Sequence, residues 1–440
     1  MEEREINPFQ CGRPVVDPAD FFGRRVELQR LSSLLRPLHW VSIVGPRRIG
    51  KTSLLMQLCH PRTVAEMGLG APEYGVAFIN CSGLMGLDAA GWRALLISRA
   101  AEALGVFPAP EVGNGFQFRE AFRRLVAGGR KLILLLDEFE DLAANPHLDA
   151  DFFGGLRALS TGYPVAIVTA SRLPLITLTY RDASLPSSPF FNPFVSLRLG
   201  LLEESEAQAL LARPGANLGA KTIDLLLSLA GRHPFYLQIA GHLAFERQRR
   251  EPLAATAPDG LCEAVQEALE PHLIYAWEHL SEEARYALVT LPLARAGQAG
   301  LDELRDACLT EKGKYLSSAV ERFARRQSLP DVLQARGLWA DLRRQQAVWW
   351  QQPLSLGNLT FAVLCYFLAH PDQPIPWLQL ETEVWGQFEE LPPDYAGNPE
   401  RVDARVDALR RTLREAGVGN PISFRGGAYT FALDLIVPGP

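Results

Sequence analysis

Residues 45 to 52 read GPRRIGKT and match the spacing G-x-x-x-x-G-K-[ST]. Glycines in such a loop let several backbone N–H groups point at one anion, and the helix that follows adds the positive end of its dipole. An apolar run, VSIV, enters the loop and an amphipathic run, SLLMQL, leaves it, which favours a phosphate-binding loop over a chance match in a glycine-rich chain. The predicted nucleotide-binding residues of the loop are Gly45, Pro46, Arg47, Arg48, Ile49, Gly50, Lys51, Thr52 and Ser53.

Two polar side chains of this loop have predicted chemical roles. We expect Lys51 to reach the β- and γ-phosphates during catalysis and the Thr52 hydroxyl to ligate Mg²⁺. Lysine is scarce in the chain, with five residues in 440, and one of the five stands at this motif. ATP or ADP with Mg²⁺ is therefore the predicted cofactor set.

An acidic pair, Asp137 and Glu138, ends the apolar run LILLL. An aspartate at the carboxyl end of a buried strand can hold Mg²⁺ through water, and the next glutamate can polarise an attacking water molecule. The alternative is an acidic helix start, because Asp and Glu favour the first turn of a helix. The phosphate loop earlier in the chain favours the chemical interpretation, with Asp137 as a metal ligand and Glu138 as a catalytic residue.

A further apolar run, PVAIVTASR, ends in Thr169, Ser171 and Arg172. Polar groups at this position are expected to face the γ-phosphate and to report its presence. Arg172 is therefore a predicted catalytic residue, and a surface arginine that follows a strand is the alternative.

Five nearly continuous apolar runs must position these groups. Strands buried on both faces by helices have this character, so we predict an α/β fold with a parallel sheet. Helical periodicity replaces the β-type runs from about residue 203 to 280, which predicts a helical lid. The predicted strands are 40–44, 74–81, 131–136, 164–170 and 194–199.

Two further units are predicted after the lid. Helical segments followed by a β-hairpin over 337–353 indicate a winged-helix-like unit, and the last unit closes with ISFRGGAYTF, whose Gly-Gly pair is a strong hairpin-turn signal. The predicted domains are a P-loop nucleotide-binding α/β domain at 1–200, a helical lid at 201–280, and winged-helix units at 281–353 and 354–440.

The composition limits the class of protein. Hydrophobic residues make up 48% and charged residues 21% of the chain, and the formal net charge is -6. These values are typical of a globular protein and argue against one that coats nucleic acid through bulk charge. The six cysteines are scattered, the N-terminal MEEREINPFQ has no apolar core, and no apolar run is long enough to span a bilayer. We therefore expect a reduced, cytoplasmic protein without a membrane partner.

Taken together, the motifs look like those of the AAA+ and STAND class of P-loop ATPases. The resemblance covers roughly residues 7–275, and the two Walker-type motifs are its specific part. Matching segments outside those motifs are NPF at 7–9, FFGRR at 21–25 and GRHPFYLQ at 231–238.

The resemblance implies further nucleotide contacts. Phe22, Gly23 and Arg24 would lie against the adenine, Pro234 would pack on the adenine, and His233 would lie near the phosphates. A neutral histidine at a helix start is the alternative for His233.

One departure leaves the hydrolytic mechanism open. Arg25 stands where family members usually have a glutamate in the Gly-Arg-Glu triplet. Arg172 and Arg181 are both candidates for an arginine finger, and nothing in the sequence chooses between them. Whether hydrolysis needs a neighbouring subunit therefore stays open.

The C-terminal unit resembles the winged-helix effector domain of OmpR/PhoB-type response regulators. The matching segments are LTFAVLCYFLAHPDQPIPWLQLETEVWG, RVDARVDALRRTLREAG and ISFRGGAYTF. The resemblance implies that the helix from about residue 400 to 416 enters the DNA major groove and that the hairpin is the wing. The predicted DNA contacts are Arg401, Arg405, Arg411, Arg425 and Tyr429.

Charge argues against DNA binding by this unit. Residues 355–440 hold six arginines, no lysine and eleven acidic residues, a net charge of -5, whereas neutralisation of phosphates normally dominates DNA affinity. The arginines do cluster on the proposed recognition helix and wing. A winged helix that contacts protein or a second copy of the chain is the alternative.

These expectations combine into a function. We expect an ATP-binding and hydrolysing switch in which the angle between sheet domain and lid repositions the winged helices on double-stranded DNA. Two alternatives stay open, namely an ADP-locked STAND-like scaffold and an AAA+ loader that assembles on DNA for replication or transposition. A homo-oligomer and a separate protein sensor or effector are further expected partners.

Overall fold

Apolar runs of the first 200 residues form one parallel sheet in the computed structural model, which describes residues 6–179, 190–250, 258–291, 298–329, 331–350, 352–392 and 395–437. The strands are β1 (Trp40–Val44), β2 (Tyr74–Asn80), β3 (Lys131–Asp137), β4 (Val165–Ser171) and β5 (Phe194–Arg198). They lie in the order β2-β3-β4-β1-β5, and each predicted strand is confirmed to within one residue at either end.

Helices cover the sheet, and this is why the strands read as continuous apolar runs. Every residue of β1 and β4 is buried, and side-chain caps begin several of the helices: Asp88, Asn114 and Asp149 each accept a backbone N–H of the first turn. The helices are α1 (Arg25–Leu35), α2 (Lys51–Cys59), α3 (Pro61–Glu66), α4 (Ala89–Ala103), α5 (Gly115–Leu125), α6 (Phe139–Ala144), α7 (Ala150–Arg157) and α8 (Leu175–Thr179), with 3₁₀ turns at Ala127–Gly129 and Ala158–Ser160.

The helical character predicted for the lid region is confirmed. The described part of this region contains the helices α9 (Glu204–Leu211), α10 (Ala220–Ala230), α11 (Pro234–Arg250) and α12 (Pro258–Glu278). Pro234 occupies the first helical position of α11, where a missing N–H costs nothing. Sheet and lid belong to one compact unit, which comprises residues 1–278, 305–311 and 315–321.

The second compact unit comprises residues 279–304, 312–314 and 322–440. The hairpin expected over 337–353 forms between Leu338–Asp341 and Gln346–Trp349, and it is the centre of a four-stranded antiparallel sheet whose outer strands are Val332–Ala335 and Gln352–Leu354. The elements between residues 282 and 354 are α13 (Glu282–Val289), α14 (Gln298–Asp306), β6 (Thr310–Glu311), β7 (Lys314–Tyr315), α15 (Ser318–Arg326), β8 (Val332–Ala335), β9 (Leu338–Asp341), β10 (Gln346–Trp349) and β11 (Gln352–Leu354).

The C-terminal helices share a core with this antiparallel sheet. Leu338, Ala347 and Trp349 of the sheet belong to the same buried cluster as Phe361 and Leu409 of the helices. The division into four domains stays a prediction, but a boundary at residue 353 would separate strands from the core they cover. The last elements are α16 (Asn358–Ala369), β12 (Pro374–Pro376), α17 (Trp377–Trp385), α18 (Pro399–Glu415), β13 (Ile422–Arg425), β14 (Ala428–Phe431) and a 3₁₀ turn at Leu433–Leu435.

The predicted Gly-Gly hairpin forms between β13 and β14, which extend to a three-stranded sheet with β12. Among the residues that the structure describes, none of the helices combines the length and apolar character needed to cross a bilayer.

Candidate nucleotide-binding and DNA-binding sites

The phosphate loop connects β1 to α2, and at both of its glycine positions the structure favours glycine over a residue with a side chain. A Cβ on Gly45 would lie 2.5 Å from the Leu199 carbonyl oxygen, and the Gly45 N–H donates to the Ser171 carbonyl at 3.2 Å. Gly50, the residue before α2, has φ of +100°, a conformation that favours glycine. The sequence motif therefore folds into a tight loop seated on β4 and on the segment after β5.

Lys51 bends back onto this loop. Its Nζ donates to the Gly45 carbonyl at 2.8 Å and to the Pro46 carbonyl at 3.0 Å, and the residue is only 7% exposed. Burial lowers the pKa of Lys51, and the nearby Glu140 opposes that shift. The ammonium group therefore already lies among the loop atoms that would surround a phosphate.

Thr52 and Asp137 meet as the sequence predicts. The Thr52 hydroxyl donates to Asp137 Oδ2 at 2.8 Å, and Asp137 is 1% exposed. Burial raises the pKa of Asp137, while the hydrogen bond from Thr52 lowers it. Asp137 Oδ1 is buried without a hydrogen-bond partner among the described residues. A buried carboxylate oxygen beside a hydroxyl suits a hard cation such as Mg²⁺, so the residues present fit that ion.

Glu138 has a strained backbone next to the metal candidate. Its φ is +49°, in the left-handed region that non-glycine residues rarely adopt, and it is the residue before α6. Burial raises the pKa of Glu138, and the charges of Glu140 and Asp137 raise it further. Such strain concentrates at functional sites, and a carboxylate with a raised pKa is a stronger base.

The three polar residues at the end of β4, namely Thr169, Ser171 and the Arg172 that follows, have different environments. Arg172 binds Glu140 through both its backbone N–H and its Nε, and donates through a terminal guanidinium nitrogen to the Tyr275 hydroxyl at 3.0 Å. The Ser171 hydroxyl donates to the Leu173 carbonyl at 2.7 Å, whereas the buried Thr169 hydroxyl has no partner in the described part of the chain. Arg181, the other candidate finger, lies outside the described residues.

Arg24 forms contacts that the sequence did not predict, and its contact with adenine stays a prediction. Its guanidinium is buried and donates to the Ile49 carbonyl at 3.0 Å, to the Gly200 carbonyl at 2.6 Å and to the Leu201 carbonyl at 3.3 Å. It also pairs with Glu27 at 2.9 Å. The side chain thus fastens the phosphate loop to the segment that follows β5.

Phe22 and Gly23 lie beside this anchor. The Arg213 guanidinium lies over the Phe22 ring at 4.6 Å and over the Phe9 ring at 5.5 Å. Gly23 has φ of +83°, and a Cβ there would come within 2.8 Å of the Glu206 carboxylate. Sequence reasoning did not find Arg213, because its contacts lie some 200 residues away along the chain.

Ser53 holds the N-terminal segment. Its hydroxyl accepts the Val15 N–H at 3.0 Å, and the Gln57 amide donates to the Val15 and Val16 carbonyls. A contact between Ser53 and nucleotide stays a prediction, while its observed contact attaches residues near 15 to helix α2.

His233 and Pro234 form the turn that begins α11. His233 is 3% exposed and stacks on Tyr236 with ring centroids 4.0 Å apart. Burial lowers the pKa of His233 to about 3, and the charge of Arg24 lowers it further. The imidazole is therefore neutral near pH 7, and its Nδ1 has no partner among the described residues.

Two lid aromatics approach the arginines of the phosphate loop. The Arg47 guanidinium lies 4.8 Å from the Tyr275 ring centroid, and the Arg48 guanidinium lies 4.9 Å from that of Phe235. Sequence reasoning missed both rings, because helical periodicity alone does not separate a lid residue that faces the loop from any other half-buried aromatic.

The predicted recognition helix, α18, buries the face that the sequence indicates. Val402, Val406, Leu409 and Leu413 are fully buried. Its N-terminal cap is Asn398, whose side chain accepts the Arg401 N–H. The opposite face is therefore exposed.

The five predicted DNA contacts differ in their availability. Arg405, Arg411 and Arg425 are exposed and form no ion pair within the described ranges. Arg401 pairs with Glu389 and lies over the Trp385 ring at 5.6 Å. The prediction that Tyr429 contacts DNA is wrong. The residue is 1% exposed and its hydroxyl donates to Asp403, so its burial keeps it from DNA.

The chain is similar in sequence to one protein family and to several known proteins. The model of a family described as Novel STAND NTPase 2 (nSTAND2) matches residues 41–292, more than half of the chain. The phosphate regulon transcriptional regulatory protein PhoB of Escherichia coli (strain K12) is 26% identical over 139 residues, and its Klebsiella pneumoniae counterpart gives the same figures. The match covers 30% of this chain, which spans 58% of the length of these curated relatives.

Several solved structures are also similar. A Walker-type ATPase from Pyrococcus abyssi aligns over 96% of both chains with a TM-score of 0.45 and 14% identity. The Aeropyrum pernix ORC2 protein in its ADP form covers 67% of this chain and 79% of its own, with a TM-score of 0.45 and 16% identity. The DNA-binding domain of CpxR from E. coli covers 23% of this chain and 95% of its own, with a TM-score of 0.19 and 25% identity.

Proposed function

Because this chain belongs to the nSTAND2 family of STAND NTPases, we propose that it binds ATP or ADP with Mg²⁺, hydrolyses ATP, and couples nucleotide state to DNA engagement by its winged helix. The observation that carries the proposal is the hydrogen bond of 2.8 Å between Thr52, at the start of the helix after the phosphate loop, and the buried Asp137 at the end of β3. It brings together the two motifs that hold phosphate and Mg²⁺ in P-loop enzymes.

The residues of the site have different roles in the proposed hydrolysis. Lys51 leaves the Gly45 and Pro46 carbonyls and binds phosphate oxygens, since an anion is a stronger partner than a carbonyl. Thr52 and Asp137 would hold Mg²⁺, which would neutralise charge on the phosphates. Glu138 orients the attacking water molecule, and its raised pKa favours removal of the proton.

DNA is the proposed output of the C-terminal unit. The support is the similarity to PhoB, which is named as a transcriptional regulatory protein, together with the exposed Arg405, Arg411 and Arg425 on α18 and β13. Arginine on an exposed helix face suits guanine edges and phosphates. A cytoplasmic location, a homo-oligomer and a protein sensor or effector stay predictions.

Steady-state ATP hydrolysis by the purified chain, with and without double-stranded DNA, tests the proposal. We expect turnover that DNA raises, and we expect E138Q to bind ATP while losing at least about tenfold in turnover, because the base is removed. K51A is the blank. Turnover equal to that of K51A in both conditions, or E138Q turnover equal to wild type, would contradict the hydrolytic assignment.

One observation favours a second candidate, an ADP-locked scaffold whose winged helix binds protein. Acidic side chains share the exposed face of α18 with the arginines: Glu400, Asp403, Asp407 and Glu415 are all exposed. Arg410 is paired with Asp407 at 2.9 Å. This surface would repel DNA phosphates while suiting a basic protein surface. Tightly held ADP in the purified protein, with turnover at the blank, would favour this candidate.

A further inference from the structure

Tyr275 of helix α12 contacts two arginines that come from two different loops of the sheet. Its ring faces the Arg47 guanidinium, 4.8 Å from the ring centroid, and its hydroxyl accepts a hydrogen bond from Arg172 at 3.0 Å. A side chain of the lid therefore joins the phosphate loop to the residue that follows β4.

Both arginines lie at or beside the loop that is proposed to hold the phosphates. Arg47 is part of the phosphate loop, and Arg172 follows Ser171, whose carbonyl accepts the Gly45 N–H of that loop. Arg47 is exposed and the Arg172 side chain is 41% exposed. Neither guanidinium is packed into the core, so each can exchange one partner for another without disturbing the fold.

Glu140 restricts what Arg172 can do. The carboxylate binds the backbone N–H and the Nε of Arg172, which fixes the stem of the side chain. The terminal nitrogen that binds Tyr275 is the part left to change partner. Glu140 therefore keeps Arg172 within reach of either the lid or a phosphate.

We propose that Tyr275 is a positioning residue that reads the γ-phosphate, by holding Arg47 and Arg172 when ADP is bound and releasing them to the γ-phosphate of ATP. This inference rests on the proposed nucleotide binding and deepens it. A phosphate oxygen carries negative charge and can bind the arginine fork through two parallel hydrogen bonds, whereas the Tyr275 hydroxyl is neutral and accepts one bond from Arg172. The cation–π contact of an exposed arginine is weak.

The consequence is a difference between the two nucleotides. ADP leaves both contacts of Tyr275 intact, so helix α12 stays attached to the sheet. ATP draws both arginines away, so its binding includes the loss of those contacts. Removing Tyr275 should therefore favour ATP over ADP, because only ATP binding breaks the contacts.

Phe235 supplies a matched control from the neighbouring helix α11. Its ring lies 4.9 Å from the Arg48 guanidinium, but it has no hydroxyl, and Arg48 also donates to the Gly12 carbonyl at 3.4 Å. F235L thus removes a lid ring from the same loop without touching the contacts of Arg47 or Arg172.

The test is the affinity of the full chain for fluorescent ADP and fluorescent ATPγS, each with Mg²⁺. Y275F keeps the ring and removes the hydroxyl, and we expect it to tighten ATPγS binding about threefold with ADP affinity changed less than about twofold. Y275L removes both contacts and should tighten ATPγS binding about tenfold. F235L should leave the ratio of the two affinities unchanged.

The outcomes separate this inference from the function on which it rests. Wild-type protein that binds neither nucleotide, or binds both no better than K51A, overturns the proposed function. Nucleotide binding that K51A abolishes, with an unchanged affinity ratio in Y275F and Y275L, leaves the function standing and overturns the role of Tyr275. An equal change in F235L also overturns it, since loss of lid packing would then set the ratio. If Y275L does not fold, the ratio of the two affinities in Y275F alone tests the role of Tyr275.

Discussion

At the scale of single residues, buried polar side chains hold the phosphate loop in place. Arg24 binds three backbone carbonyls on two segments, and Asp137 accepts the Thr52 hydroxyl. Each is a strong polar group in a water-poor place, where losing a partner is costly. The loop geometry therefore depends on residues that touch no phosphate.

Arg24 gives the first prediction at this scale. R24M removes the charge but keeps much of the volume, and leaves the carbonyls of Ile49, Gly200 and Leu201 without their donor. We expect the free energy of unfolding to fall by about 3 kcal/mol, measured by urea titration. The matched control is R62A, because Arg62 pairs with Glu66 on an exposed surface and should cost less than about 0.5 kcal/mol. Equal losses in the two variants would contradict the anchoring role of Arg24.

His233 gives a prediction about pH. Its pKa falls from 6.5 in the unfolded chain to about 3 in the folded protein, because burial penalises the charged imidazole. The unfolded state therefore binds the extra proton between those values. The stability that neutral His233 permits is complete above about pH 6.5 and is lost as the pH falls, by up to about 1.4 kcal/mol per pH unit.

The measurement compares wild type with H233Q in urea titrations at about pH 7, 6 and 5. The difference between the two slopes isolates His233 from Asp137 and Glu138, whose raised pKa values act in the opposite direction. We expect the variant to lose stability less steeply below about pH 6.5. Parallel curves for the two proteins would show that the imidazole is not buried as described.

At the scale of elements, the N-terminal segment is held against the lid through a close approach. A Cβ on Gly241 of helix α11 would lie 2.3 Å from the ring of Phe9, which is 4% exposed. Asn7 and Gln10 add hydrogen bonds to the same helix. The glycine makes room for the ring, so this contact depends on backbone proximity.

G241A tests that contact. A helical Gly→Ala change normally stabilises by about 0.5–1 kcal/mol, but here the added methyl group must displace Phe9, and we expect a net loss of about 1–3 kcal/mol. G154A in helix α7 is the control, because nothing lies within 4 Å of its added Cβ. Urea titration of both variants should give opposite signs. A stabilised G241A would mean that Phe9 moves at no cost.

Some helices and strands could be predicted from the sequence, and others only in part. The strands of the parallel sheet were predictable because burial on both faces makes them continuous apolar runs, as in β1 and β4. The apolar face of α18 was predictable from its helical spacing. Strands β8 to β11 are three or four residues long, and β8 is mostly half-buried, so only part of their sheet was visible as a hairpin.

Some residues of the candidate site could likewise be predicted from the sequence, and others could not. Lys51, Thr52 and Asp137 belong to local motifs, and the structure brings them together as expected. Arg213 and Tyr275 act through partners about 200 and 100 residues away, and no local pattern encodes such contacts. The burial of Tyr429 has a signal in the sequence, because Tyr429 and Phe431 are two residues apart along β14 and therefore both face the core.

At the scale of the whole molecule, charge decides how DNA can be bound. The chain has a formal net charge of -6, so its bulk field repels a polyanion and affinity must come from local arginines.

We expect R405A, R411A and R425A each to weaken binding of duplex DNA and to reduce the slope of log affinity against log salt by about 0.9, because each side chain is exposed and unpaired in the described part of the chain. R401A should leave the slope nearly unchanged, because Glu389 already neutralises that guanidinium. Fluorescence anisotropy at several KCl concentrations measures both effects. A slope that none of the four substitutions alters would contradict DNA contact by these arginines, since counterion release requires cations at the phosphates.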